Sequence, residues 1–299
     1  MRKNIFIVLG FLAQLFNIQS TAIAQSKQAP LKDTHRKSLL WKISGKDLLT
    51  PSYVFGTMHS ICNEDYFFTE QMQAAFDASK KLILEIDLSD PAMIAQYQQN
   101  LFLPEGKELK NFFSSEKEYQ AFVDSVKKQT DIDANQFSKF KPFILISMIS
   151  MKSFTCENQS SYEMNLIEMS KKRNIDIDGL ESSHSQLEIF DKMNDEDIKN
   201  MLVESVSQLG NEHKEIDQMV SIYKTQDIDA LYQLISQSPE FKGHEKELIS
   251  GRNIKWMNTL LYEMKQQASF VAVGAGHLAG KQGVLNLLEK QGYQVEAVK

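Results

Sequence analysis

Six short runs rich in β-branched and aromatic residues recur through this chain, with long stretches of helical pattern between most of them. They are LLWKIS (39–44), SYVFGT (52–57), KLILEID (81–87), NIDIDGL (174–180), FVAVGA (270–275) and YQVEAV (293–298). Helical pattern fills 69–80, 91–101, 116–130, 162–173, 194–209, 213–224, 244–266 and 281–291. It is clearest in ELISGRNIKWMNTLLYEM, where Ile249, Arg252, Trp256 and Leu260 share one face. Strands alternating with helices predict an α/β fold with a mainly parallel central sheet. The helix-rich segments 91–170 and 185–266 exceed simple crossovers, so a large helical cap inserted between strands is expected.

Parallel α/β sheets gather functional groups just beyond the carboxyl ends of their strands. Applied to this chain, SYVFGT leads to His59, KLILEID ends in Glu85 and Asp87, NIDIDGL leads to Glu181, and FVAVGA leads to His277. Four strands thus deliver ionisable groups to one predicted edge. Gly56-Thr57-Met58-His59 and Gly274-Ala275-Gly276-His277 repeat one G-x-x-H device. A glycine there is expected to admit positive φ and fold the backbone sharply back. One such match is weak and more often marks a structural histidine; two, each after an apolar strand, point to a site.

Glu85 interrupts an apolar run, and a carboxylate buried there needs a cation, a metal or hydrogen-bond donors. Arg252 lies on the apolar stripe of its helix, so its guanidinium is expected either to face inward toward a carboxylate or oxyanion, or to snorkel outward. Glu181 opens ESSHSQ and reads either as a helix-capping acid or as a member of the site. His35, His213 and His244 read as solvated, and His184, three residues past Glu181, reads either as facing water or as lining the same cleft.

The first residues carry a separate message. MRK followed by NIFIVLGFLAQLF, with small residues at Ala22 and Ala24, reads as a signal peptide over residues 1–24, with cleavage after Ala24. Residues 25–37 are polar and aperiodic, a disordered leader, and 38–299 form one domain. No later run approaches the roughly 20 apolar residues of a membrane span, and FILISMISM (143–151) has the length of a buried helix. The expected destination is periplasmic or extracellular. Formal net charge is −6, and removing Arg2 and Lys3 makes it −8, so no basic face is offered to nucleic acid. The chain has two cysteines, Cys62 and Cys156; in an exported protein these suggest one disulfide, with two buried thiols as the alternative.

YVFGTMH, LILEIDLSDPAM, IDGLESSHSQLEIFDKM, RNIKWM and FVAVGAGHLAGKQGVLNLLEKQGYQVEAV, in this order and spacing, resemble the TraB/GumN family over residues 38–299. That family includes the TIKI proteins and pheromone-shutdown proteins, with erythromycin esterases (EreA-like) and ChaN haem-binding proteins as distant relatives. The resemblance implies an EreA/ChaN-like fold and a divalent metal held by His59, Glu85 and His277. Manganese, zinc or cobalt all suit such a donor set, and the residues do not choose among them. It places Arg252 at the family's arginine and Glu181 in its GLE segment, so the implied catalytic residues are Glu85, Glu181 and Arg252. Many relatives have Gly and Asp where this chain has Ser161 and Glu163, so Glu163 carries less weight as a site residue. The implied activity is a metal-dependent hydrolase, metallopeptidase-like, acting on a peptide, protein or small ester or amide. Two alternatives stand beside it: a metal-independent His/Glu hydrolase, and a haem- or ligand-binding protein without turnover.

Overall fold

The computed structural model describes residues 36–207, 209–237 and 244–299. The expected signal peptide and residues 25–35 of the expected leader lie outside the described residues. Its last two residues already touch the domain. Arg36 pairs with Glu289 at 2.9 Å, and Lys37 forms an antiparallel bridge to Asp227.

The strands are β1 (Leu40–Ser44), β2 (Ser52–Thr57), β3 (Ile61–Cys62), β4 (Lys81–Leu84), β5 (Gln159–Ser160), β6 (Asp176–Gly179), β7 (Ser269–Gly274) and β8 (Gln294–Ala297). Six of them form one sheet in the order β6-β4-β7-β2-β1-β8. The expected mainly parallel sheet is mixed. β6, β4, β7 and β2 run parallel, whereas β1 pairs antiparallel with both β2 and β8. The cause is local: Gly45 and Lys46 both have positive φ, turning β1 back toward β2 without a crossover helix. The four parallel strands direct their carboxyl ends to one edge. β7 is buried along its whole length, consistent with an unbroken apolar run at the centre of a covered sheet.

Among the described residues the α-helices are α1 (Glu70–Ala78), α2 (Pro91–Gln99), α3 (Glu116–Thr130), α4 (Pro142–Ser150), α5 (Tyr162–Arg173) and α6 (Ser183–Asp191). They continue with α7 (Asp195–Ser207), α8 (Leu209–Lys224), α9 (Ile228–Ser236), α10 (Gly251–Gln266) and α11 (Val284–Lys290). α5 begins at Ser161, whose hydroxyl accepts from the Met164 amide, and ends at Asn174 in the left-handed region. α4 is mostly apolar around its circumference and buried except at the half-buried Met148, with Pro142 at its first turn, where no amide hydrogen is needed.

The helical cap is smaller than expected. Side chains of α5, α8, α9 and α10 pack into the core beneath the sheet, with Tyr162, Tyr223, Leu231 and Trp256 among its members. Two further cores stand apart from it. One gathers Leu109, Val126, Leu145, Ile149 and Leu202; the other gathers Tyr97, Phe143, Leu187 and Phe190. The cap therefore comprises α2–α4 and α6–α7. The remaining helices carry a stripe wide enough to reach the sheet itself.

A second, two-stranded sheet joins β3 to β5, with Ile61 opposite Ser160 and Cys62 opposite Gln159. The Cys62–Cys156 disulfide sits at its end, with Cα atoms 5.8 Å apart. Together they clamp the segment after His59 to the segment before α5.

Candidate functional site

At the shared carboxyl edge the expected groups converge. His59 follows β2, Glu85 follows β4, Glu181 follows β6 and His277 follows β7, while Arg252 enters from the first turn of α10. The backbone pairing of β4 with β6 continues one step past both strands, since Glu181 N donates to Glu85 O at 3.0 Å. That contact sets the two carboxylates side by side. Asp87 leaves the group and accepts from the amide and hydroxyl of Ser89, and His184 is exposed.

His59 faces two acids. Its Nδ1 lies 2.8 Å from Glu163 Oε1, and its Nε2 lies 3.9 Å from Glu85 Oε1. Glu163 also accepts from the Thr57 hydroxyl at 2.6 Å and the Ser161 hydroxyl at 3.0 Å. A carboxylate can only accept, so Nδ1 carries the hydrogen and Nε2 is left facing Glu85. Glu163, given little weight on sequence grounds, is thus the group that orients His59. Its signal was its place in the first turn of α5, beside the disulfide.

His277 is set in the same way by an amide. Asn253 Nδ2 donates to the carbonyls of His277 and Gln282, at 3.2 and 2.9 Å, so its Oδ1 accepts from His277 Nδ1 at 2.7 Å. Nε2 is therefore the unprotonated nitrogen, 3.7 Å from Glu85 Oε1 and 3.2 Å from Arg252 Nη1. Trp256 lies under both the imidazole, at 4.5 Å, and the guanidinium, at 4.8 Å. Sequence reasoning missed Asn253, although it adjoins Arg252 on one helix.

Arg252 ties the acids together. Its Nη2 bonds Glu85 Oε2 at 2.5 Å and also bonds Glu181; its Nε reaches Glu181 at 2.9 Å. Nη1 donates to the Leu248 carbonyl at 3.1 Å, within a one-turn π-helical segment, Lys246–Ser250, that precedes α10. With His277, all five N–H groups have partners, so none is left over for an oxyanion in this arrangement. Gln186 of α6 adds a longer amide contact to Glu85, 3.4 Å.

The glycines act by absence of a side chain rather than by positive φ. Neither Gly56 nor Gly274 is among the positive-φ residues, and Gly274 has φ −51. A Cβ on Gly56 would meet Leu278 Cδ1 at 2.7 Å. One on Gly274 would lie 3.2 Å from His59 Nε2 and 3.4 Å from Glu85 Oε1, in the middle of the donor set. The Gly274 amide also donates to Glu85 Oε1 at 2.8 Å.

Burial and charge split the two imidazoles. Burial takes His277 down to about 3, with the Arg252 and His59 charges adding to it and Glu85 opposing. Burial would lower His59 too, but the charge and hydrogen bond of Glu163, with Glu85 behind, leave it raised. Glu85 is held well below the usual carboxylate range; Arg252, the imidazoles and the Gly274 amide outweigh its burial. Glu181 goes the other way, raised by burial and by Glu85 despite its contact with Arg252. One guanidinium shared by two acids leaves the second one underserved.

The chemistry of this donor set suits a divalent cation, although the atoms of His59, Glu85 and His277 do not all lie within 4.8 Å of one another. It offers two imidazole nitrogens whose Nδ1–H groups are held by acceptors, plus one carboxylate oxygen. With both imidazoles neutral, Glu85, Glu163 and Glu181 against Arg252 leave two negative charges, which such an ion would balance. Binding would require Arg252 Nη1 to release His277 Nε2 and the rings to draw in on Glu85. Among the described residues only Cys62, Glu64 and Cys156 bring three ligand atoms within 4.8 Å, and the disulfide removes both sulfurs as ligands. A cavity of about 40 Å³ adjoins the two histidines.

Comparison with known proteins identifies the family. The TraB/PrgY/gumN family model matches residues 39–297. The chain belongs to that family. It is 21% identical over 323 residues to Metalloprotease TIKI2 of Danio rerio, covering 89% of this chain and 62% of that protein. Against Metalloprotease TIKI1 of Xenopus tropicalis it is 32% identical over 111 residues, covering 36% of this chain and 21% of the relative. The chain thus spans less than two thirds of the length of either relative. No solved structure matches it. Among the described residues no helix is long and apolar enough to cross a membrane.

Proposed function

We propose that this family member is an exported, metal-dependent hydrolase of the metallopeptidase type, with His59, His277 and Glu85 holding a divalent ion. The observation that carries the reading is the pair of oriented imidazoles: each has Nδ1 tied back and Nε2 turned toward the same oxygen, Glu85 Oε1, at 3.9 and 3.7 Å. When bound there, manganese, zinc or cobalt would acidify a water and polarise a carbonyl. Glu181 is the general base: burial and the neighbouring Glu85 raise its carboxyl, and it adjoins the donor set. Arg252 is a positioning residue that fixes Glu85 and Glu181 rather than an oxyanion donor. A peptide or protein substrate follows from the relatives named as metalloproteases. Export is supported by the leader pattern and the disulfide. The sheet, with four parallel strands meeting at the site, is compatible with the expected EreA/ChaN-like arrangement.

The test is elemental analysis of purified protein, followed by hydrolysis of a peptide library with and without chelator. His59→Ala and His277→Ala are each expected to lose bound metal and hydrolysis while retaining the fold; full metal content in either variant sinks the ligand assignment. A second reading, a metal-independent His/Glu hydrolase, draws on Arg252 already occupying His277 Nε2. Hydrolysis that survives chelator and dialysis would select it.

A further inference from the structure

The cavity beside the two histidines has a chemistry of its own. Met219, Leu231, Ile235, Ile249, Ala275 and Gly276 form half of its lining. Its polar members are already engaged: the Thr57 hydroxyl donates to Glu163 at 2.6 Å, the Tyr223 hydroxyl donates to the Gly56 carbonyl at 2.9 Å, and both imidazoles are tied at Nδ1. Apart from His59 Nε2, which faces Glu85, the side-chain polar atoms here are taken, so a polar or charged group entering would lose its hydration for few replacement partners. The volume, about 40 Å³, is far below the roughly 150 Å³ that an apolar cavity needs to admit benzene. One to three carbon atoms fill it.

We propose that this cavity is the specificity pocket of the hydrolase and takes a small aliphatic side chain, methyl to isopropyl, next to the bond that is cut. The inference rests on the hydrolase reading and deepens it by naming a substrate class. Gly276 and Ile235 set the size. A Cβ on Gly276 would stand 2.9 Å from Ile235 Cδ1 and 3.9 Å from Ile249 Cδ1, so a methyl there would push Ile235 aside and reshape the wall it forms. Alanine- or valine-like residues fit, whereas aromatic and charged ones do not. A single methylene too many in such a pocket is worth about tenfold or more in discrimination.

Alkyl hydroxamates provide the test, since their headgroup chelates a metal while the acyl substituent probes the pocket. Aceto-, propiono-, isobutyro- and benzohydroxamate are titrated by calorimetry into the full-length mature protein loaded with Mn²⁺. Affinity is expected to peak at the ethyl or isopropyl group and to fall at least tenfold for phenyl. Ile235→Val should shift the optimum toward larger groups, and Gly276→Ala should cut the ethyl and isopropyl affinities to the methyl level. Equal affinity across the series, or an unchanged profile in both variants, overturns the pocket and leaves the metal reading standing. If the protein takes up no Mn²⁺, the metal reading fails and the pocket falls with it; if the loaded protein binds none of the hydroxamates, the pocket alone is overturned. Thermal unfolding of each variant separates these outcomes from misfolding, and Ile235→Val, which removes one methylene, is conservative enough to stand alone.

Discussion

Gly274 is the residue at which the geometry is least forgiving. Its missing side chain leaves the space between His59 Nε2 and Glu85 Oε1, so Gly274→Ala would push a methyl to 3.2 Å from one donor and 3.4 Å from the other. A loss of at least tenfold in Mn²⁺ affinity is expected by calorimetry, in keeping with the cost of disturbing groups around a metal site; unchanged affinity would place the ion elsewhere. The glycine was visible in the sequence, but its reason was not, because φ and close approach cannot be told apart without coordinates. His277 makes a second residue-scale statement. Its folded pKa, about 3, lies below the ordinary 6.5, so between those values the unfolded chain binds a proton that the native state refuses. Stability attributable to His277 is therefore complete above 6.5 and declines as pH falls. Glu85 and Glu163, both depressed from 4.5, begin to contribute a loss of the same sign only near that lower value. His59, raised, acts in the opposite sense and above 6.5. Glu181, raised above 4.5, opposes His277 in this window. Urea midpoints of the metal-free protein should thus drop between pH 6.5 and 4.5 by the excess of the imidazole, and His277→Gln should flatten or reverse that slope. A parallel slope in the variant would mean the imidazole is not buried neutral.

Elements with a clear period could be read directly. β2 falls on the expected 52–57, and α3 and α5 occupy the expected 116–130 and 162–173, because their apolar positions and caps agree. β3 and β5 could not be read, as two residues carry no period. α9 was missed although it is strongly amphipathic; at nine residues, it sits between helical stretches that already filled the pattern. Yet the unread ribbon does the positioning. β3, β5 and the Cys62–Cys156 bond hold residues 59–63 against 156–163, and Ser60 donates to Gln159 at 3.1 Å within that clamp. This brings Glu163 to His59. Replacing both cysteines by serine should cost about 2–5 kcal/mol in chemical denaturation, as expected for a loop closed over 94 residues. Metal affinity should fall with it, since the partner of His59 is no longer pinned. A destabilised protein with undiminished affinity would show that the clamp serves folding alone.

Across the whole molecule, the rule that placed the site was topological and held because four parallel strands end at one edge, even though β1 and β8 made the sheet mixed. The size of the cap was not legible, because a stripe facing a sheet and a stripe facing another helix look alike in one dimension. The cap also reaches the site by a route that no motif announced: Gln186 on α6 contacts Glu85 and Glu181, and the next residue, Leu187, is buried among Tyr97, Phe143 and Phe190. Packing in that small core therefore sets where Gln186 stands. Leu145 belongs to the other cap core, apart from the one that holds Leu187. Both leucines are fully buried, at 1% and 0% exposure, so Leu187→Ala and Leu145→Ala should each lose about 2–5 kcal/mol. Their effects on turnover should part company. Leu187→Ala is expected to lower kcat several-fold under conditions where the protein remains folded, while Leu145→Ala keeps the wild-type kcat. Equal losses of kcat would mean that the cap acts as one rigid body on the site; no loss in either would make it a bystander to the chemistry.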